Sequence, residues 1–290
     1  MRRLLTALVL QLQRDINDGH VYYDGGENNK LLLDSGCPRS IVDDKEFSDD
    51  VIGPILFSGC TDRIRQIPAT VRERGYTGIL GWDFIKALGK EYANIFFDLS
   101  NRSNMALRLS NENSPSVLSS IYIQELEFSP QARYPILCCS LYALGACEDA
   151  VGLLDLASPI SMCNTPAEDM VRLFPRQDNY VQRTTTGVDG RTSTLRAGQA
   201  AGIRLGSSFD IPNVPLAIAD TPAMDQLGFR NDPFLLIGLD LLGDSFALHF
   251  LPNVGAKKEE RKLLLTKRHG KKISGVVAIL NVHSSSHRKT

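Results

Sequence analysis

Two stretches of the 290-residue chain end an apolar run on an aspartate in the same way, and together they offer a pair of carboxyls for acid–base chemistry. The first is Leu31-Leu32-Leu33-Asp34-Ser35-Gly36-Cys37-Pro38-Arg39-Ser40, answered downstream by Ile79-Leu80-Gly81-Trp82-Asp83. The second is Gly152-Leu153-Leu154-Asp155-Leu156-Ala157-Ser158-Pro159-Ile160-Ser161, answered by Leu236-Ile237-Gly238-Leu239-Asp240. In both, a serine stands six residues after the leading aspartate, and an apolar-apolar-Gly-x-Asp segment returns later. A repeated order of elements in otherwise dissimilar sequence points to a duplicated structural unit. Two carboxyls brought together across an interface between such units cannot both ionise cheaply. They share a proton and titrate as a pair, which makes one a base and the other an acid.

The neighbours of Asp34 suit this task. Gly36 lets backbone N–H groups come close to a carboxylate, and the Ser35 hydroxyl is available for hydrogen bonds that hold the pair. The competing reading of Asp34 is a turn aspartate closing a strand. Asp155 is less well provided, because Leu156 has no hydroxyl and Ala157 adds a methyl where backbone approaches the carboxylate.

These residues resemble the aspartic protease family, retropepsin-like and pepsin-like, whose lobes carry an apolar strand, Asp-Thr/Ser-Gly and a later apolar-apolar-Gly. The likeness is one of motifs, spread over residues 8–252, and the segment 187–240 looks most like single-lobe retropepsin-like sequences of bacteria. It implies an all-β, two-lobed acid protease fold, each lobe a small β-barrel of the retropepsin type, with Asp34 facing Asp155. It implies an aspartic endopeptidase that activates a water between the two carboxyls, with no metal, no cofactor and no covalent intermediate. Aspartic proteases are themselves the standard instance of two carboxyls sharing one proton. The implied partner is a polypeptide substrate, extended in the cleft and bonded strand-like through its backbone. Asp83 and Asp240 match family positions that are structural. Two other readings stay open: a protease-like peptide-binding or scaffolding protein impaired by Leu156 and Ala157, and a protease active only as a homodimer through Asp34.

The family covers its cleft with a mobile hairpin, and Thr186, Gly187, Val188, Asp189 and Gly190 are the candidate flap here. Gly81 follows Asp34 by 47 residues whereas Gly238 follows Asp155 by 83, so any flap in the first half, around residues 57–61, must be short. An ordinary β-hairpin is the competing reading of both segments.

The elements that must position these groups read as strands. Short apolar or alternating runs at 8–12, 21–23, 30–33 and 95–99 are separated by Gly, Asn and Asp, and residues 25–29 have the chemistry of a hairpin turn. The Ser- and Asn-rich segment 111–120 reads as a linker, after which 121–128 opens a new alternating strand. Runs at 151–154, 201–205, 214–219 and 234–239 continue a second β-rich half, with short helices expected at 165–173 and 223–228 and no long helix. The expected division is a lobe over 1–110, a linker over 111–120, a second lobe over 121–253 and a basic tail over 254–290.

Composition narrows the class. Hydrophobic residues make up 43% and charged residues 22%, as in an ordinary globular protein, which argues against wholesale disorder. No run approaches the roughly 18 apolar residues needed to cross a bilayer. Residues 1–12 have the basic start and apolar run of a short signal peptide, yet no small-x-small cleavage site follows, which favours a first strand. Six cysteines at irregular positions show neither zinc spacing nor a disulfide framework. His283 and His287 lack further metal ligands, and no phosphate-binding glycine loop occurs. Residues 256–290 carry ten Lys or Arg against two Glu, a net +8 beside −9 for the rest. Such a tail suits an acidic partner or nucleic acid, though without interleaved aromatics a solvated terminus is the simpler reading. None of this assigns a compartment.

Overall fold

The computed structural model describes residues 7–16, 19–26, 29–43, 61–64, 67–92, 94–99, 105–111, 120–129, 132–143, 146–171, 174–175, 183–187, 190–206, 209–242, 246–251 and 261–267. The chain is mostly strand, with a few short helices.

In the first half, β1 (Ala7–Arg14), β2 (Val21–Asp24) and β3 (Lys30–Leu33) form an antiparallel meander. The expected turn at 25–29 joins β2 to β3: the Gly25 N–H donates to the Asn29 carbonyl and the Asn29 N–H to the Gly26 carbonyl, each at 2.8 Å. Gly26 sits at φ 79°, a conformation that costs glycine nothing. Residues 7–14 are a strand rather than a separate segment, paired with β8 (Met105–Ser110) from Ala7↔Ser110 to Leu12↔Met105.

The strand that ends on Asp34 is held from both sides of its return segment. β3 runs parallel to β6 (Gly78–Leu80), which in turn runs antiparallel to β4 (Ser40–Asp43). The second half repeats this order. There β11 (Ala146–Leu154) runs parallel to β17 (Phe234–Ile237), which is antiparallel to β12 (Met162–Cys163).

The strand order of the first half is linear among the described residues. That of the second half closes on itself: β10 (Ala132–Ala143) pairs with β11, β11 with β17, β17 with β12, β12 with β16 (Phe209–Ile218), β16 with β15 (Thr192–Leu205), and β15 again with β10. Strand β9 (Ser120–Ser129) links the halves, pairing through 124–129 with β10 and through 120–123 with β19 (Arg261–Lys267).

Two expectations need correction. The segment beyond residue 253 is not all tail, because β19 pairs with both β9 and β18 (Phe246–Leu251), and β18 pairs in turn with β7 (Asn94–Asp98) of the first half. The chain thus returns to the first sheet after completing the second. The other correction is a ten-residue helix, α2 (Trp82–Glu91), where none of that length was expected. Trp82, Ile85 and Leu88 recur at helical spacing and are buried. The remaining helices are α1 (Ala69–Glu73), α3 (Thr165–Val171), α4 (Pro222–Gln226) and α5 (Leu239–Leu242); α3 and α4 fall where 165–173 and 223–228 were expected.

One apolar cluster runs through both halves, from Leu12, Leu31 and Trp82 to Leu154, Ile203 and Ile237. The halves are therefore fused through a common core. Where the return glycines cross, backbone meets backbone. A Cβ built on Gly81 would lie 2.6 Å from the Arg39 carbonyl carbon, and one on Gly238 would lie 2.6 Å from the Ile160 carbonyl oxygen. Neither neighbour can step aside as a flexible side chain would. Gly81→Ala and Gly238→Ala are each expected to destabilise the fold by about 1–3 kcal/mol or more, measured by urea unfolding; Gly75→Ala, whose Cβ would meet nothing within 4 Å, carries only the strain of its positive φ.

Candidate active site

Each leading aspartate is fixed by the same turn. The Asp34 N–H donates to the Leu80 carbonyl (2.9 Å) and the Asp155 N–H to the Ile237 carbonyl (3.0 Å), so each strand end is tied to its return segment. Asp34 Oδ1 accepts the Cys37 N–H (2.9 Å), and Asp155 Oδ1 accepts the N–H groups of Ala157 (2.9 Å) and Ser158 (3.1 Å).

The serines and second aspartates of the repeat brace these turns. Ser40 donates its hydroxyl to Asp83 Oδ1 (2.6 Å) and accepts the Gly81 N–H (2.9 Å). Ser161 does the same with Asp240 Oδ1 (2.6 Å) and the Gly238 N–H (2.8 Å). Asp83 and Asp240 also accept an N–H in the first turn of their own helices, from Phe84 and Leu241, each at 2.8 Å. The return segments then reach back over the turns, the Trp82 N–H to the Cys37 carbonyl (2.7 Å) and the Leu239 N–H to the Ser158 carbonyl (2.8 Å). These four residues are spoken for by structure.

Between the two turns the carboxyls of Asp34 and Asp155 are hydrogen-bonded to each other. Burial and then the charge of Asp155 push the Asp34 carboxyl well above the ordinary carboxylate range. Asp155 is raised by burial too, but the N–H groups of Ala157 and Ser158 and the bond from Asp34 oppose the rise. Two carboxyls in contact titrate as a pair, and it is Asp34 that burial and its neighbour's charge most disfavour as an anion. Gly36 makes the approach possible, since a Cβ there would lie 2.9 Å from Asp155 Cγ.

Ser35 ties the turns together. Its hydroxyl donates to the Leu154 carbonyl (2.8 Å) and accepts the Leu156 N–H (3.0 Å), both in the other half. The two departures in the second motif are absorbed apolarly: Leu156 is fully buried in the shared core, and the Ala157 methyl joins Tyr22, Ile67, Val71 and Tyr76 of the first half. The dyad is thus assembled in spite of them.

The candidate flap is a hairpin. β14 (Arg183–Thr186) pairs with the start of β15 from Arg183↔Leu195 to Thr186↔Thr192, and its turn closes by Gly187 N–H to Arg191 carbonyl (2.9 Å) and Gly190 N–H to Gly187 carbonyl (3.0 Å). A Cβ on Gly190 would lie 3.8 Å from Thr70 Cγ2, so the tip from the second half reaches helix α1 of the first. Val188 and Asp189 lie outside the described residues, as does most of the expected first flap at 57–61; Thr61 itself begins β5 (Thr61–Ile64), which pairs with β4.

Sequence reasoning missed two residues beside the dyad. Tyr134, on β10, has its phenol raised by burial first and then by Cys37 and Asp34. His20 contacts the Ala157 carbonyl through Nδ1 (2.5 Å). Nothing in the local sequence links either to the site, since Tyr134 meets Asp34 across 100 residues of chain and His20 meets Ala157 across 137. Burial and then Asp34 push the Cys37 thiol up, which keeps it neutral. No group of three or more His, Cys, Asp or Glu is placed to hold a metal ion among the described residues, and no helix there is long and apolar enough to cross a membrane. Cys37, Cys138, Cys139, Cys147 and Cys163 are free thiols.

No family model and no curated protein matches the chain. Among solved structures it is similar to basic 7S globulin from soybean, at 9% identity and a TM-score of 0.49, over 93% of this chain and 98% of that one. It is also similar to conglutin gamma, a basic 7S globulin from lupine seeds, at 11% identity and a TM-score of 0.47, over 90% and 95% of the two chains.

The raised Asp34 carboxyl has a thermodynamic consequence. A group whose pKa is higher folded than unfolded contributes stability that is fully present below its unfolded pKa and is lost as pH rises through its folded pKa. Asp34→Asn removes that loss. The variant is expected to melt above wild type at neutral pH, with the gap closing as pH falls below the ordinary carboxylate range; melting curves between pH 3 and pH 8, interpreted with carboxylate pKa values of about 4, check this.

Proposed function

We propose that this chain is an aspartic endopeptidase with a two-lobed acid protease fold, the second lobe a small β-barrel and the first, whose strand order is linear among the described residues, an open sheet. The observation that carries the reading is the hydrogen bond between Asp34 and Asp155, delivered by equivalent turns of the two halves. The closed circuit of six strands in the second half supports the barrel.

The chemistry follows from the unequal surroundings of the two carboxyls. Each carboxyl accepts two backbone N–H groups, Asp34 from Cys37 and Gly36 and Asp155 from Ala157 and Ser158. Asp34 is the more deeply buried and is raised well above the ordinary range, so Asp155 is the base that takes a proton from a water held between the pair. Asp34 gives its proton to the substrate carbonyl oxygen as the water oxygen adds to the carbonyl carbon. The resulting tetrahedral species then passes a proton to the amide nitrogen, the C–N bond breaks, and the carboxyls return to one proton between them. The substrate is an extended polypeptide lying between the halves under the 183–195 hairpin, whose inward Ser193 and Leu195 are buried while Thr184, Thr186, Thr192 and Thr194 face solvent.

Leu156 favours a second reading, a peptide-binding scaffold that keeps the cleft but not cleavage, because the hydroxyl that would answer Ser35 is missing. Pairing of Asp34 with its copy in a second chain has less support, since Asp155 of the same chain already occupies that place.

In an acid protease assay on a mixed peptide library, Asp34→Asn and Asp155→Asn should each lower pepstatin-sensitive hydrolysis at least about 100-fold. Wild-type activity should fall as pH rises through the raised titration of Asp34, because the acid of the pair is then lost. Peptide binding without cleavage by wild type, unaffected by either substitution, would establish the scaffold instead.

A further inference from the structure

We propose that His20 is a positioning residue that holds the second aspartate turn from the first half, supplying a contact that Leu156 cannot make. This rests on the protease reading above and extends it to a residue outside both motifs.

The tie through Ser35 is one-sided. Its hydroxyl grips Leu154 and Leu156, but the position after Asp155 is a leucine buried in the core, so no hydroxyl returns the grip. On the far side of the Asp155 turn the ring of His20 makes the missing connection. His20 lies just before β2, 137 residues away in sequence, and is 9% exposed.

Chemistry fixes the roles of its two nitrogens. Arg74 Nη1 lies 2.7 Å from Nε2, and a guanidinium only donates, so Nε2 must accept. The proton of the neutral ring is then on Nδ1, where it donates to the Ala157 carbonyl at 2.5 Å. Tyr76 meets the ring edge-on at 6.3 Å, and the His20 carbonyl accepts the Asp15 N–H at 2.9 Å, so both ring and backbone are seated. The ionisable neighbours of this latch are Arg74, Tyr76 and, in its own hairpin, Arg14 and Asp15; those of Asp155 are Asp34 and Cys37.

The held peptide is the one that matters for the acid–base pair. The turn whose Ala157 carbonyl is latched also presents the Ala157 and Ser158 N–H groups to Asp155 Oδ1. Those two donors favour the ionised form of Asp155 against its burial, as the Cys37 and Gly36 N–H groups do for Asp34, so losing them would leave Asp155 the less ionised of the two. If the turn loosens, the bonds lengthen, Asp155 becomes harder to ionise, and the acid limb of activity moves to higher pH.

The test compares full-length wild type, His20→Leu, which removes both contacts, and His20→Asn, whose amide nitrogen replaces the Nδ1 donor. Amide hydrogen exchange of Ala157 and Ser158 is read alongside the pH profile of kcat/KM on a peptide substrate. His20→Leu should speed exchange at both amides by about tenfold or more, as expected for local opening of a held turn. It should raise the acid limb by about half a pH unit or more and lower kcat with little change in KM. His20→Asn should restore most of each effect.

Unchanged exchange and an unchanged acid limb in His20→Leu would overturn the proposal, as would His20→Asn behaving no better than His20→Leu. If wild type cleaves no peptide, the protease reading fails by itself, and the exchange data still decide whether the latch exists. If His20→Leu does not fold, Arg74→Met at its exposed position takes its place. It must speed exchange at the same two amides, and no change there would count against the latch.

Discussion

The contact between the carboxyls of Asp34 and Asp155 constrains everything built around it. Two negative charges in contact away from water repel strongly, and a single charge there still loses its hydration. Sharing a proton removes the repulsion, and N–H groups from the turns replace part of the lost water. Every element near the site serves that arrangement: strands β3 and β11 aim the aspartates, and the return segments at Gly81 and Gly238 lock the strand ends. Gly36 then leaves the gap through which the carboxyls meet.

The two halves are equivalent in backbone and unequal in chemistry. Ser35 and Gly36 keep the first turn polar and spare, whereas Leu156 and Ala157 turn the second into part of the core. Burying an alkyl side chain contributes about 1.5–3 kcal/mol, more than the typical net worth of about 0.5–1.5 kcal/mol for one hydrogen bond. Stability is therefore no obstacle to losing one side of the polar grip. The cost falls on positioning, where direction matters and apolar contact supplies none. It is met by hydrogen bonds from Ser35 and His20, both in the first half.

Most of the scaffold was legible in the sequence, because the features that specify it are local. Residues 30–33 end on Asp34 as a strand, the 25–29 turn closes as its glycines suggest, and the serine and aspartate spacings of the two repeats lead to the same bonding pattern. Most of what was not legible is non-local. Helix α2 is the exception, a local signal overlaid by the Gly81-Trp82-Asp83 motif, since its apolar residues continue at helical spacing through Leu88. The pairing of Arg261–Lys267 was hidden because one of its partners, residues 120–123, lies more than a hundred residues away in sequence. His20 carried no signal at all: a histidine after a glycine in a turn acquires meaning only from the carbonyl it meets.

The central claim is that Asp34 and Asp155 hold one proton jointly, and site-resolved carboxyl titration by carbon-13 NMR of the full chain addresses it most directly. The account predicts two steps belonging to the pair, with Asp34 still protonated after Asp155 has ionised, and a large change in the step of either residue when the other is replaced by asparagine. Two independent titrations near the ordinary aspartate value of about 4, each indifferent to the other residue, would contradict it.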